Sequence, residues 1–281
     1  MKRGLLCAAA LSAGLWMVPG LEAQAAPKPE TEFTLPHDAS VDGFRIDHLI
    51  YEDAWLEAPL MVVLTMWLLF AVFAYGRKHK AVYDHGGFKH PIAAGLCLVA
   101  VVTLVADDAL SWYESNRDLA EHFYNYADAE QAPDVVRIEV DAHQWAWAAR
   151  YAGPDKKFNT DDDILTFNDV RVPVGSPVII ELASTDVIHD FYLPNMRVKQ
   201  DAMPGMINRM MFTAKETGEY DIGCAQHCGL NHYKMKGLLT VLPKADFQQW
   251  ANKASANSSR LFDPGDRIAH WGWDWTWKKG E

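Results

Sequence analysis

The run Cys224-Ala-Gln-His-Cys-Gly-Leu-Asn-His-Tyr-Lys-Met235 constrains this chain more than any other, because it sets two thiols, an imidazole and a thioether within twelve residues. Soft sulfur donors mixed with imidazole suit copper better than any hard cation. A single blue-copper centre uses one thiolate, two imidazoles and a weak axial methionine, so the second cysteine is the informative one. Two thiolates can bridge a pair of metals, each of which then needs one histidine and one weak ligand. His232 and Met235 supply half of that set, and a second histidine must come from another part of the fold.

His189 is the candidate. It follows the apolar, β-branched run Val174 to Leu182, which reads as a buried strand ending in a polar turn. The donor set becomes His189, Cys224, Cys228, His232 and Met235, with a backbone carbonyl inside the Cys-x3-Cys loop, that of Gln226, completing the second metal. Three other readings of the cysteines compete. A disulfide suits an oxidising compartment but leaves His232 and Met235 without a purpose. A structural zinc site has little use for a thioether. A thioredoxin-like copper-delivery protein would carry its cysteines early, between a strand and a helix. Here they come late, and Gly237 to Leu242 follows as a closing strand.

These residues resemble subunit II of the haem–copper oxidases, whose binuclear copper centre, called CuA, uses a C-x-E-x-C-G-x-x-H-x-x-M loop and a remote histidine. Cys224, Gln226, Cys228, Gly229, His232 and Met235 match the loop, and His189 matches the remote ligand. Asp201-Ala-Met-Pro-Gly205 and His143-Gln-Trp-Ala-Trp147 match two further family patches. The resemblance implies a cytochrome c oxidase subunit II that takes electrons from cytochrome c and passes them to a haem-containing catalytic subunit I for oxygen reduction. A nitric oxide reductase of the same superfamily carrying a CuA subunit is the alternative. It also implies that Trp145 is the point of electron entry and that Asp186 could help dock the donor. By periodicity alone, Trp145 and Trp147 share one strand face and pack in the core, and Asp186 could equally cap its turn. The chain departs from the family pattern at Gln226, where the carboxylate that binds magnesium at the subunit interface is an amide, which counts against that metal. Met206 stands where the family has Arg, and Lys89-His-Pro91 replaces an acidic start to the second span.

The rest of the chain supplies context. Residues 1–25 read as a signal peptide, with Lys2 and Arg3 before an apolar stretch and Ala23-Gln-Ala25 as the cleavage site. Residues 26–54 form an extracytoplasmic arm and residues 55–112 a two-helix transmembrane hairpin. Its first run, Leu56 to Gly76, has the length of a span, with Trp55 as interfacial anchor. The second, Pro91 to Ala106, is shorter and spans only if its helix continues through Asp107 and Asp108 toward Trp112. Arg77, Lys78, Lys80 and Lys89 between them place that loop in the cytoplasm and both flanks outside, on the periplasmic face of an inner membrane. A helical linker (113–132) leads to a mainly β outer domain (133–243), expected as a cupredoxin-like Greek-key β-sandwich in which Ile207–Phe212 and Tyr220–Ile222 form a hairpin feeding the metal loop. The tail, 244–281, alternates Trp271, Trp273, Trp275 and Trp277, suited to a membrane interface or to packing. The loop 153–163 is rich in oxygen donors but lacks the EF-hand pattern and reads as a solvated acidic turn. A net charge of −11 argues against nucleic acid and can steer a basic partner.

Overall fold

The computed structural model describes residues 35–76, 80 and 91–261. The signal segment, Cys7, most of the basic loop and the four alternating tryptophans lie outside the described residues.

Helix α1, Gly43–Ala74, holds the first apolar run. From Trp55 onward it has twenty residues with no Asp, Lys or Arg and one Glu, enough at 1.5 Å per residue to cross roughly 30 Å of hydrocarbon. Among the described residues it is the one helix long and apolar enough to do so. Its first three turns are polar, so helix begins at Gly43, inside the segment expected to be an irregular arm. The reason is lateral support. Asp53 accepts from the Ser111 hydroxyl at 3.0 Å and Arg45 pairs with Asp118 at 3.2 Å, while Asp47 holds Arg197 of the β domain at 2.6 Å. Helix α2, Pro91–Thr103, is the second apolar run. A π-helical stretch, Leu104–Asp108, carries it without a break into α3, Ala109–Asp118, so the backbone remains helical past both aspartates. Its apolar part, Ala93–Thr103, is shorter than a bilayer crossing. A second π turn, Leu119–Phe123, and α4, Tyr126–Gln131, lead to the β domain.

Ten strands form two five-stranded sheets: β1 Val136–His143, β2 Ala146–Tyr151, β3 Ile164–Phe167, β4 Asp169–Pro173, β5 Pro177–Ser184, β6 His189–Leu193, β7 Val198–Ala202, β8 Asn208–Thr213, β9 Gly218–Cys224 and β10 Lys236–Leu242. The orders are β3-β2-β1-β5-β8 and β4-β10-β9-β6-β7, with β1 parallel to β5 and β10 parallel to β4. Alternate residues such as Ile138, Val140, Ile180, Leu182, Phe191 and Leu239 are fully or almost fully buried between the sheets, as the period of two requires.

One sequence expectation changes here. β8 and β9 do not pair, because β8 closes one sheet and β9 lies inside the other; the Glu216–Gly218 turn is a crossing between layers. The loop after β2 is exposed to solvent over most of its length, as expected, but it is tied to the sheet at two points. Asn159 accepts from the buried Arg150 guanidinium at 2.9 Å, Asp163 is 3% exposed, and Phe158 lies under both Arg137 and Arg150. The loop thereby covers the outer face of the β1–β2 sheet. The segment expected as tail begins with α5, Lys244–Leu261, whose Trp250 packs edge-on against Tyr151 at 5.4 Å with Arg171 over its ring.

Candidate metal centre

β9 ends at Cys224 and β10 begins at Lys236, so the whole cysteine loop is a connection between two adjacent, paired strands. This strand-to-strand placement differs from the strand-to-helix position of a thioredoxin-type motif. The loop is pinned at its start by the Ala225 N–H donating to Asp190 O at 3.0 Å. A tight turn closes its end, with N–H of His232 on Gly229 O and N–H of Met235 on His232 O.

His189 is the first residue of β6, not a loop residue, and is fully buried. β6 pairs with β9 at Phe191–Cys224, which carries His189 across to the cysteine loop from 35 residues upstream. Its Nδ1 lies 3.2 Å from Met235 Sδ and 4.0 Å from Cys224 Sγ. The two cysteine sulfurs are 3.7 Å apart and both are free thiols, so no disulfide joins them. Cys228 Sγ is 3.6 Å from His232 Nδ1 and 3.7 Å from Met235 Sδ, and Cys224 Sγ is 3.2 Å from Gln226 O. The structure therefore brings all six sequence-derived donors to one place. His189, Cys224 and Cys228 form a group able to hold a metal ion. Met235 is 1% exposed, yet its sulfur faces nitrogen and sulfur and not hydrocarbon, a donor set that fits copper and gives zinc a ligand it rarely uses.

The thiols do not share protons evenly. Burial is the largest influence and opposes ionisation of both, but at Cys224 the hydrogen bonds with His189, the Asp190 and Gln226 backbone and His232 together outweigh it and hold that thiol well below its ordinary value. Burial and the adjacent Cys224 sulfur push Cys228 up. A second negative charge 3.7 Å from the first is costly, and a cation bound between them removes that cost.

Asp186 lies beside His189 and caps its turn. Its Oδ1 faces His189 Nε2 at 2.9 Å and accepts from the Val187 N–H at 2.6 Å, while Oδ2 accepts from the Gln144 N–H at 2.6 Å. Both oxygens thus accept bonds, one orienting His189 and both tying the turn, while the residue stays exposed to solvent. Burial would raise the Asp186 carboxyl, but its bonds to His189 and to the Val187 and Gln144 N–H groups together hold it below its ordinary value; His189 is raised against burial by Cys224 and then by Asp186. The bond between Asp186 and His189 fixes which imidazole nitrogen faces the sulfurs.

Trp145 and Trp147 do not share a strand face. β1 and β2 are joined by a two-residue turn, Gln144-Trp145, and only Trp147 lies in the strand. Trp147 is fully buried, edge-on to His189 at 5.9 Å and to Phe191 at 5.0 Å. Trp145, half-buried, lies against the cysteine loop. The Gln144 side-chain amide donates to Cys228 O at 2.7 Å. A Cβ on Gly229 would sit 2.7 Å from Gln144 Nε2 and 3.3 Å from the Trp145 ring, and Gly229 has φ +121°, so only glycine admits this approach. Sequence reading missed the tie from Gln144 to the Cys228 carbonyl, the contact of Trp147 with His189 and the bond between Asp186 and His189. The Asp-x-x-His spacing was the available signal for the last of these.

Residues 136–241 match the family model described as cytochrome c oxidase subunit II, periplasmic domain. The chain is similar to subunit II over this domain. It is 26% identical over 231 residues to the alternative cytochrome c oxidase subunit 2 of Bradyrhizobium diazoefficiens, covering 73% of this chain and 78% of that one. To cytochrome c oxidase subunit 2 of Thermostichus vulcanus it is 33% identical over 140 residues, half of this chain and 39% of the relative. A solved periplasmic domain of cytochrome oxidase subunit II from Bradyrhizobium japonicum is 28% identical, with TM-score 0.39, covering 43% of this chain and 94% of that one. Subunit II proteins are membrane-anchored parts of an oxidoreductase complex, associated with subunit I, and the family implies copper. The His189, Cys224 and Cys228 group fits that metal.

Proposed function

We propose that this chain carries a binuclear CuA centre and serves as the electron-accepting component of a membrane haem–copper oxidase, receiving electrons from cytochrome c and passing them to the haem-containing subunit I. The observation that carries this reading is the pair of unbridged sulfurs 3.7 Å apart, flanked by two imidazole Nδ1 atoms, a thioether and a carbonyl. Cys224 and Cys228 would bridge two coppers. His189 and Met235, 3.2 Å apart, would serve one, and His232 with the Gln226 carbonyl the other. When bound, such a pair supplies a one-electron relay whose charge is shared between two metals.

The protein's own part is to hold this arrangement still. Asp186 fixes His189, Trp147 and Phe191 wall it, and the Gln144 amide ties the hairpin turn to the Cys228 carbonyl. Trp145, on that turn and against Gly229, is the proposed point of electron entry. Protein donors fill every ligand position in this scheme, which suits electron transfer and leaves oxygen chemistry to subunit I. The amide at Gln226 supports a subunit interface without magnesium. The helix continuing past Asp108 supports α2 as a second span, with the β domain on the periplasmic side.

Full-length protein loaded with copper tests the reading. Two coppers per chain and a paramagnetic spectrum of one electron shared by both nuclei are expected. One copper, a zinc or a Cys224–Cys228 disulfide refutes it. The reaction catalysed by the co-purified haem subunit, on oxygen or on nitric oxide, decides the terminal acceptor.

A further inference from the structure

The cysteine loop contains one imidazole that the ligand scheme leaves over. His227 stands between Gln226 and Cys228, exposed to solvent. Its ring stacks on that of His232, with centroids 5.5 Å apart and planes 27° from parallel. The stack thus holds a spare imidazole against a proposed copper ligand. The ligands themselves are graded in depth. His189 is 0%, Met235 1% and Cys228 2% exposed, while Cys224 and His232 are half-buried. An ion arriving from solvent therefore reaches the Cys224 and His232 side of the centre first. Of the loop side chains exposed between Cys224 and Met235, His227 alone ends in a donor that copper favours; the others are aliphatic, amide, phenol or ammonium groups.

We propose that His227 is a copper-acquisition site, which captures Cu(I) at the surface, hands it to His232 and Cys224, and holds no metal once the centre is complete. This role rests on the copper centre proposed above and adds a step that precedes it. Protein donors already fill every position of the finished centre, so a further imidazole has no place in it and serves only on the way in. The step is a ligand exchange and moves no electron. The bond from Cu(I) to the His227 imidazole breaks as bonds to the His232 nitrogen and the Cys224 sulfur form, and a thiol still protonated releases its proton to water. Capture beside the destination makes the transfer intramolecular, at an effective concentration far above that of copper in solution. The stack on His232 supplies that proximity.

Metal-free full-length protein in detergent, mixed anaerobically with Cu(I)–bicinchoninate, reports uptake as the colour of the chelate fades. His227→Phe keeps a ring on His232 and loses the metal donor; His227→Met keeps a soft donor and loses the ring. Uptake is expected to slow about tenfold in His227→Phe and to stay near the parental rate in His227→Met, because a donor held close to the site sets the rate of capture. After oxidation with ferricyanide, both variants are expected to show the parental copper content and paramagnetic spectrum. Parental uptake by His227→Phe overturns the proposal. So does equal slowing in both variants, which makes the stack the cause and not the donor. An altered final spectrum in His227→Phe also overturns it, since His227 then belongs to the finished centre. The copper content of the parent tests the binuclear centre separately.

Discussion

Replacing Asp141 with Asn isolates the largest electrostatic penalty in the β domain. Asp141 lies on β1 between Ala148 and Ala183, is 6% exposed, and its Oδ1 has no hydrogen-bond partner among the described residues. Burial, with the nearby Asp186 charge, raises its pKa from 3.8 to about 7. The folded protein therefore keeps a proton that the unfolded chain releases, so stability falls as pH rises from about 3.8 to about 7 and is level above that. At 1.36 kcal/mol per unit the full penalty is about 4 kcal/mol, an upper figure because solvent and relaxation soften it. Linkage puts about 2.5 kcal/mol of it between pH 5 and pH 8. For a domain of this size that is roughly 10 °C of melting temperature. The assay is thermal unfolding of both full-length proteins by circular dichroism from pH 5 to pH 8. Burying the Asn amide adds an offset at every pH, and titrations shared by both chains cancel to first order, so the quantity of interest is the change in the gap. The variant should gain on the parent steadily as pH rises. A gap that stays constant or narrows refutes a buried, proton-holding Asp141.

Three further outcomes follow from the site. Trp145→Ala should retain copper and lose most of its electron-uptake rate from cytochrome c, measured by stopped-flow; unchanged uptake with the metal in place removes Trp145 as the entry point. Asp186→Asn weakens the charge-assisted bond to His189 Nε2, and copper affinity should fall about 10- to 100-fold in competition with a chelator. Gly229→Ala forces a Cβ within 2.7 Å of Gln144 Nε2 at a positive φ, and should cost about 1–3 kcal/mol while shifting the copper absorption bands. An alanine variant with parental stability and spectrum would mean that the turn is not wedged against the loop.

The donor set was legible because ligand chemistry is local in sequence: Cys224, Gln226, Cys228, His232 and Met235 lie within twelve residues, and sulfur with imidazole restricts the metal. The apolar helix α1 was legible for a similar reason, since a run long and apolar enough to cross a bilayer stands out in the sequence. The strands of the β domain could be read from their period of two. Their partners could not. Nothing in Asn208–Thr213 or Gly218–Cys224 tells that neighbouring strands belong to opposite sheets, because the hydrophobic pattern marks which face is buried and not what buries it.

By itself, then, the sequence determined the metal chemistry, the apolar helix and the β character of the outer domain. Only tertiary structure decided that the β6–β9 pairing delivers His189 to the sulfurs, that Asp186 bonds His189, and that Trp145 rests on Gly229 while Trp147 enters the core. These outcomes depend on pairing register and on a two-residue turn. Contacts across 35 to 84 residues of chain are settled there by packing between layers, a term that no local pattern contains.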